Sequence, residues 1–273
     1  MVDPDHHHLF VSLGCALENM ALASMAFGLK SVPQFDLATN AVNVAFKPTK
    51  SFASPLYQAI RTRQCTRGLY DGKPLPSAEL KQLEVAGTGN GVSLRLFTAK
   101  PEIETILSLV LQGNIAQMSD AAFIKGLKQW IRFGASEAVQ TGDGLYSITS
   151  GNPSVPRWLG STMFDMLFSE KTESDKYAGK TRSSSGMAVF VSAVDDKTHW
   201  IEAGRCYERF ARQATALGIR NAMLNQAVEV PAMRQQLAGF LGLNGGRPNL
   251  VVRFGRGAVM PQSLRRDLSA VLV

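Results

Sequence analysis

The stretch RTRQCTRGLYDGKPLP, residues 61–76, gathers Arg61, Arg63, Arg67 and Lys73 around Cys65, then breaks into a turn at Gly68 and Asp71-Gly72. Guanidinium groups grip phosphate oxygens in pairs, and backbone N–H groups freed in a turn add donors, so the chemistry on offer is capture of an anion. A solvated basic helix end accounts for the same residues, because cations are favoured at a helix C-terminus. Near the chain's end a second group follows: Arg247, Arg253, Arg256 and then Arg265 and Arg266 within SLRRDL. The formal charge is +7 over 273 residues, yet no run of five or six like charges exists. That distribution suits a discrete anion pocket and argues against a nucleic-acid partner.

Other chemistries find less support. Cys15, Cys65 and Cys206 are odd in number, far apart and without a CxxC pair, so neither a disulfide framework nor a zinc site is expected. His6 to His8 lack a spaced fourth ligand, and no metal is assigned to them. GTGNG and GLNGG match no phosphate-loop or dinucleotide fingerprint and read as tight turns. His199 with Ser183 to Ser185 lacks the G-x-S-x-G elbow that would present a nucleophile. No side chain stands out as a catalytic proton donor.

The elements that must position these residues are mixed. Residues 10–29 are apolar enough for a membrane span or signal sequence, but Asp3 and Asp5 precede them and Glu18 and Asn19 interrupt them. They are expected to form a buried helix, with no membrane partner. Shifted by 190 places, FVSLGCALENMALASMAFGLK aligns without a gap on WIEAGRCYERFARQATALGIR, matching Gly14 with Gly204, Glu18 with Glu208 and Gly28 with Gly218. Each helix is followed by an alternating apolar run, at 41–49 and 249–257. An internal duplication accounts for both parallels.

Helices are also expected from Ser54-Pro55 toward the arginines, with Ser77 as N-cap to Gly87 as stop, over residues 101–117 and over 120–134. Strands are expected at 92–98 and 186–194. Residues 140–185, rich in Gly, Ser, Thr and Pro, read as a long lid-like excursion. Helices and strands without strict βαβ alternation make the fold class α+β.

Taken together, IRTRQCTRGLYDGKPLPSAEL, DDKTHWIEAGRCYERFARQATALGIRNAMLNQAVEV and RPNLVVRFGRGAVMPQSLRRDLSAVL resemble the FMN-dependent nitroreductase family, and more closely its duplicated Acg-type branch. The resemblance implies a three-layer α/β/α sandwich with a mixed, largely antiparallel sheet and two related halves in one chain. It divides the chain into residues 1–50, the remnant of a first half, and 51–273, a second half carrying the inserted segment 140–185. It places Arg63 and Arg67, with Arg265 or Arg266, on the FMN phosphate. Cys65 stands where the family has Ser, and Leu224, Asn225 and Gln226 lie along the flavin edge.

The implied function is an oxidoreductase with FMN as cofactor and NAD(P)H as reductant, passing two electrons to a quinone or nitroaromatic-like acceptor. An internal pseudo-dimer is implied, with a further homodimer open. The family's Asn-x-Gln-Pro-Trp element is matched at 85–97 only by Asn90, and no counterpart precedes the first helix. A chain that binds or sequesters flavin without turnover is therefore the rival reading. Free thiols without a signal sequence point to the cytoplasm, with export of a longer precursor left open.

Overall fold

A computed structural model of the chain describes residues 3–270 and 272. Its first third runs α1 (His7–Ala26), β1 (Leu29–Asp36), β2 (Ala41–Pro48), α2 (Pro55–Thr62), α3 (Ser77–Ala86) and β3 (Val92–Phe97). The middle holds α4 (Lys100–Met118), α5 (Ala121–Trp130), β4 (Ile131–Arg132), α6 (Ala135–Thr141) and β5 (Leu145–Tyr146), then a 3₁₀ turn, Ser147–Ser150. After it come α7 (Arg157–Leu167), α8 (Glu170–Arg182), β6 (Gly186–Ser192), α9 (Lys197–Ala216), β7 (Arg220–Met223), α10 (Gln226–Glu229), α11 (Pro231–Phe240) and β8 (Arg247–Gly255).

The central sheet has the order β3-β6-β8-β7 and its ladders are antiparallel; among the described residues parallel pairing occurs in the short β4–β5 ladder and in an isolated bridge from Cys65 to Asn221. All residues of β6 and β8 are buried, as strands covered on both faces must be. Alternation then sorts their side chains. Ala188, Phe190, Leu250, Val252 and Phe254 pack with α1, α3 and α9, while Met187, Val189, Val191 and Val251 pack with α4, α10 and α11. The fold is α+β, with helices on both faces of the sheet.

The expected buried helix at 10–29 is α1, buried along one side through Phe10, Val11, Gly14, Leu17 and Glu18. It is long and apolar enough to cross a membrane by length and composition, and here it packs along α9. The crossing is very close. A Cβ on Gly14 would lie 1.9 Å from the Ile201 carbonyl oxygen, and one on Gly204 would lie 1.9 Å from that of Val11. Each helix then ends at a glycine with positive φ, Gly28 at 72° and Gly218 at 70°, a backbone region that disfavours side chains.

Two sequence expectations change, and one strand is added. Ser77 is the first residue of α3 and Pro76 takes the cap position. The run 41–49 is the strand expected of it, β2, and it pairs with β1 in a hairpin apart from the central sheet; β1, which carries Pro33 and no alternating apolar pattern, is the added strand. The excursion at 140–185 is largely helical, because α8 is held by local electrostatics that composition hides. Ser169 accepts a hydrogen bond from the Thr172 N–H, Glu170 and Glu173 open the helix, and Lys180 and Arg182 close it.

The N-terminus of α1 is fastened to the sheet by a buried histidine. His7 Nε2 and Asn249 Oδ1 are 2.9 Å apart, and Asn249 donates in turn to Ser192 Oγ and the Arg247 carbonyl. Burial, with Arg247 nearby, lowers the His7 pKa to about 4. Above the unfolded value of 6.5 both states hold a neutral ring. As pH falls the unfolded chain takes up the proton first, so stability is lost between 6.5 and about 4. The expected loss is about 3 kcal/mol. Denaturant melts at pH 7 and pH 4 should show it, and His7→Gln should flatten the profile; parallel profiles for the two proteins would count against this role.

Candidate functional site

The arginine stretch begins where α2 stops. Arg63 caps that helix, its N–H bonded to the Ala59 carbonyl, and the chain then runs onto the edge of the central sheet. Cys65 bridges to Asn221 in β7, and the Thr66 N–H donates to the Asn221 carbonyl at 2.9 Å. Beyond them Arg253, in the middle of β8, anchors the turn from beneath. Its guanidinium donates to the Gly68 carbonyl at 2.7 Å, to that of Thr66 at 3.2 Å and to that of Lys180 at 3.2 Å, and lies 4.1 Å from the Tyr70 ring. It is 1% exposed and has no carboxylate partner among the described residues. Burial accordingly lowers its pKa.

From the other side the C-terminal segment folds back, held by Gln64 Nε2 donating to the Met260 carbonyl at 2.9 Å. Between the two lies a cleft of about 440 Å³ lined by Arg61, Arg63, Cys65, Arg67, Thr149 and Arg265, among others. Four predicted residues, Arg63, Cys65, Arg67 and Arg265, therefore converge although two segments of the chain supply them. Arg266 is not in the lining; it is half-exposed and pairs with Asp143 at 3.4 Å.

Within the cleft the cations are not alike. Arg63 Nε is 2.9 Å from Glu208 Oε1, a buried carboxylate that also faces Arg212 Nε at 3.5 Å. Arg61, Arg67 and Arg265 have no carboxylate partner among the described residues. Cys65 Sγ lies 3.5 Å from the buried Tyr207 hydroxyl, which in turn donates to Asn221 Oδ1 at 3.2 Å. Burial raises the Tyr207 pKa well above its ordinary value, so this hydroxyl keeps its proton.

The segment Leu224, Asn225 and Gln226 lies past the end of β7, outside the cleft lining. The Leu224 N–H is spent on the Val251 carbonyl at 2.8 Å, and Asn225 Oδ1 accepts from the Val251 N–H at 3.1 Å. Gln226 Oε1 is buried with no hydrogen-bond partner. Tyr177 of α8 links it to the cleft, since its hydroxyl lies close enough to feel both the Gln226 side chain and the charge of Arg67. Burial pushes that hydroxyl up to about 12. Lys180, one turn further along α8, has its pKa lowered by burial and then by Arg253, with Arg67 adding to the effect.

Tyr177, Lys180 and the anchoring role of Arg253 are the parts of this region that sequence reasoning missed. For Arg253 a signal was available, a charge inside an otherwise apolar strand. For the two α8 residues there was none, because the segment read as an excursion without regular structure.

No known-family profile matches the chain. Two proteins from two strains of Mycobacterium tuberculosis, provisionally named NAD(P)H nitroreductases, are each 25% identical to it over 288 aligned positions, covering 99% of this chain and 78% of each relative. Among solved structures, the FMN-dependent nitroreductase of Mycobacterium smegmatis, solved with NADPH, superposes with a TM-score of 0.51 at 11% identity. The match covers 80% of this chain and 97% of that one. The chain is similar to proteins named as nitroreductases and has the nitroreductase fold. In a nitroreductase fold built this way, the cleft between residues 61–67 and 261–265 is a candidate for anion capture on charge and geometry alone.

Proposed function

We propose that this nitroreductase relative holds FMN and works as an NAD(P)H-driven oxidoreductase. The observation that carries the reading is the cleft in which Arg61, Arg67 and Arg265 converge without a carboxylate to neutralise them. Like charges gathered at a surface repel one another, and a bound phosphate removes that cost while giving each guanidinium an acceptor. The site also fits the group in its neutral donors and acceptors. Gln64 Oε1, on the cleft lining, is buried without a partner, as an atom reserved for a ligand or for ordered water would be, and Gln226 Oε1 is likewise unpartnered in the segment past β7.

On this reading Arg67 and Arg265 hold the phosphate, with Arg61 beside them. Arg63 contributes field and position while tied to Glu208. Arg266 reaches the phosphate only by leaving Asp143. Cys65 offers a weak S–H donor where a serine would offer a strong one. Along the flavin edge, Leu224 supplies backbone shape and apolar contact, since its N–H is already bonded; a polar contact there falls to Asn225 or Gln226. Bound FMN supplies the capacity to take a hydride from NAD(P)H and pass two electrons to a quinone or nitroaromatic acceptor.

The division of the chain at residue 50 into two related halves belongs to the same proposal. Reciprocity across the α1–α9 crossing supports it: Gly14 meets Ile201 as Gly204 meets Val11, the same offset that aligns the two sequences. Glu18 and Glu208 also stand at matching positions and are both buried, although their partners differ, Arg205 and Arg209 for the first and Arg63 and Arg212 for the second. The glycine exchange is what a two-fold pseudo-dimer requires. Retention of flavin without turnover stays as a second reading, favoured by Thr149 of the 140–185 segment lining the cleft.

The test is direct. Purified protein should be yellow and release FMN on denaturation, and NADPH added without oxygen should bleach it within seconds to minutes. A preparation that stays colourless and takes up no added FMN would overturn both readings. Bound flavin that stays oxidised under NADPH would select the second.

A further inference from the structure

A second concavity, of about 400 Å³, lies on the far side of the 3₁₀ turn Ser147–Ser150 and differs from the cleft in chemistry. Its walls are Ile131, Phe133, Val155, Met163, Phe164 and Phe168. Phe164 and Phe168 stack with ring centroids 4.2 Å apart, and Phe133 meets Phe164 edge to face at 6.3 Å. Polar groups are fewer: Ser147 and Asn152 before α7, and Thr172, Glu173 and Lys176 on α8, the last two paired at 2.7 Å. A cavity of this size, mostly apolar with a few polar groups, has the make-up of a small-molecule site, for which volumes run from about 300 to 1,000 Å³. Met163 adds an unbranched, polarisable wall that adapts to varied ring shapes.

Its position ties it to the candidate site on two sides. The 3₁₀ turn presents Ser147 to this pocket and Thr149 to the cationic cleft. Helix α8 presents Glu173 and Lys176 here, and the next residue, Tyr177, to Gln226. The 3₁₀ turn and α8 are therefore the elements through which this pocket is joined to the cleft and to the Gln226 segment.

We propose that this pocket binds an apolar, ring-bearing small molecule. The recognition is by stacked phenyl rings and aliphatic walls, so two-ring compounds with little charge are favoured over small, strongly polar ones. Lys176 is placed to meet a carbonyl or other acceptor atom at the rim.

The experiment is calorimetric titration of the purified protein, oxidised and without nicotinamide, with 2-methyl-1,4-naphthoquinone. Saturable binding is expected in the unaltered protein. Leu167→Glu and Met163→Gln should each weaken it at least tenfold; Leu167 is 60% exposed at the pocket mouth, so the first of these leaves the fold intact. Met166→Glu, on the same helix but outside the lining, should leave it unchanged. Absence of binding, or equal affinity in Leu167→Glu and the unaltered protein, would overturn the pocket. Flavin content measured on the same samples separates the two ideas: quinone binding lost on Leu167→Glu in a protein that never holds flavin keeps the pocket and removes the flavin reading. Flavin present without pocket-dependent binding does the reverse.

Discussion

Gly204→Ala is expected to lower the melting temperature by about 10 °C. The added Cβ would sit 1.9 Å from the Val11 carbonyl oxygen, and that atom belongs to helix backbone, so no rotamer change relieves the clash. Helices α1 and α9 have to separate along the seam where Phe10, Val11, Leu17, Ile201 and Ala203 are buried together. A cost of roughly 3–5 kcal/mol follows, at the upper end for overpacking. Gly14→Ala meets the mirror-image contact with Ile201 and should cost about as much. Because either change opens the same seam, the double variant should lose clearly less than the sum of the singles. Gly239→Ala is the control: nothing lies within 4 Å of its added Cβ in α11, and removing a helical glycine should raise stability by up to about 1 kcal/mol. Thermal melts of the four proteins check the set, and additive losses would show that the two glycines do not share one crossing.

That pair of glycines was legible as a sequence echo, while its physical meaning was not. Matching letters at 14 and 204 give no hint that the two helices touch, and only the packed structure shows each glycine making room for the other's carbonyl. The buried strands were legible for a simpler reason. GMAVFVS and NLVVRFG are continuous apolar runs, and a strand covered on both faces has to look like that. Where local electrostatics or pairing carries an element, the sequence pattern is weaker. Helix α8 is polar nearly throughout and rests on its caps and on packing against α4, and β1 takes its conformation from β2 across the Asp36 turn. The site divides along the same line. Resemblance brought Arg63, Cys65, Arg67 and Arg265 together, and they do line one cleft. It did not show that Arg63 is already engaged, because Glu208 sits on another helix and reads in sequence as one more charge of α9.

The engagement of Arg63 decides which arginine tests the phosphate site. Removing Arg63 leaves Glu208 buried with only Arg212 to face it, and an uncompensated buried carboxylate costs about 3–5 kcal/mol. Flavin lost from Arg63→Ala would then report a damaged fold as readily as a lost contact. Arg67 carries no such debt, since no carboxylate among the described residues depends on it. Arg67→Ala should therefore keep the melting temperature of the unliganded protein within a few degrees. Losing one or two charge-assisted hydrogen bonds to phosphate, about 1.5–3 kcal/mol, should weaken FMN binding roughly tenfold to a hundredfold. Arg265→Ala should act in the same direction, and Arg67→Lys should recover part of the affinity, because an ammonium keeps the charge but not the two-pronged geometry. The measurement is fluorescence-quench titration of deflavinated protein with FMN at two ionic strengths, with the variant showing the shallower salt dependence. FMN affinity unchanged in both Arg67→Ala and Arg265→Ala would mean that the cationic cleft holds some other anion, and the phosphate would then have to be sought elsewhere, first beside Lys180, a partly buried cation close to Arg253.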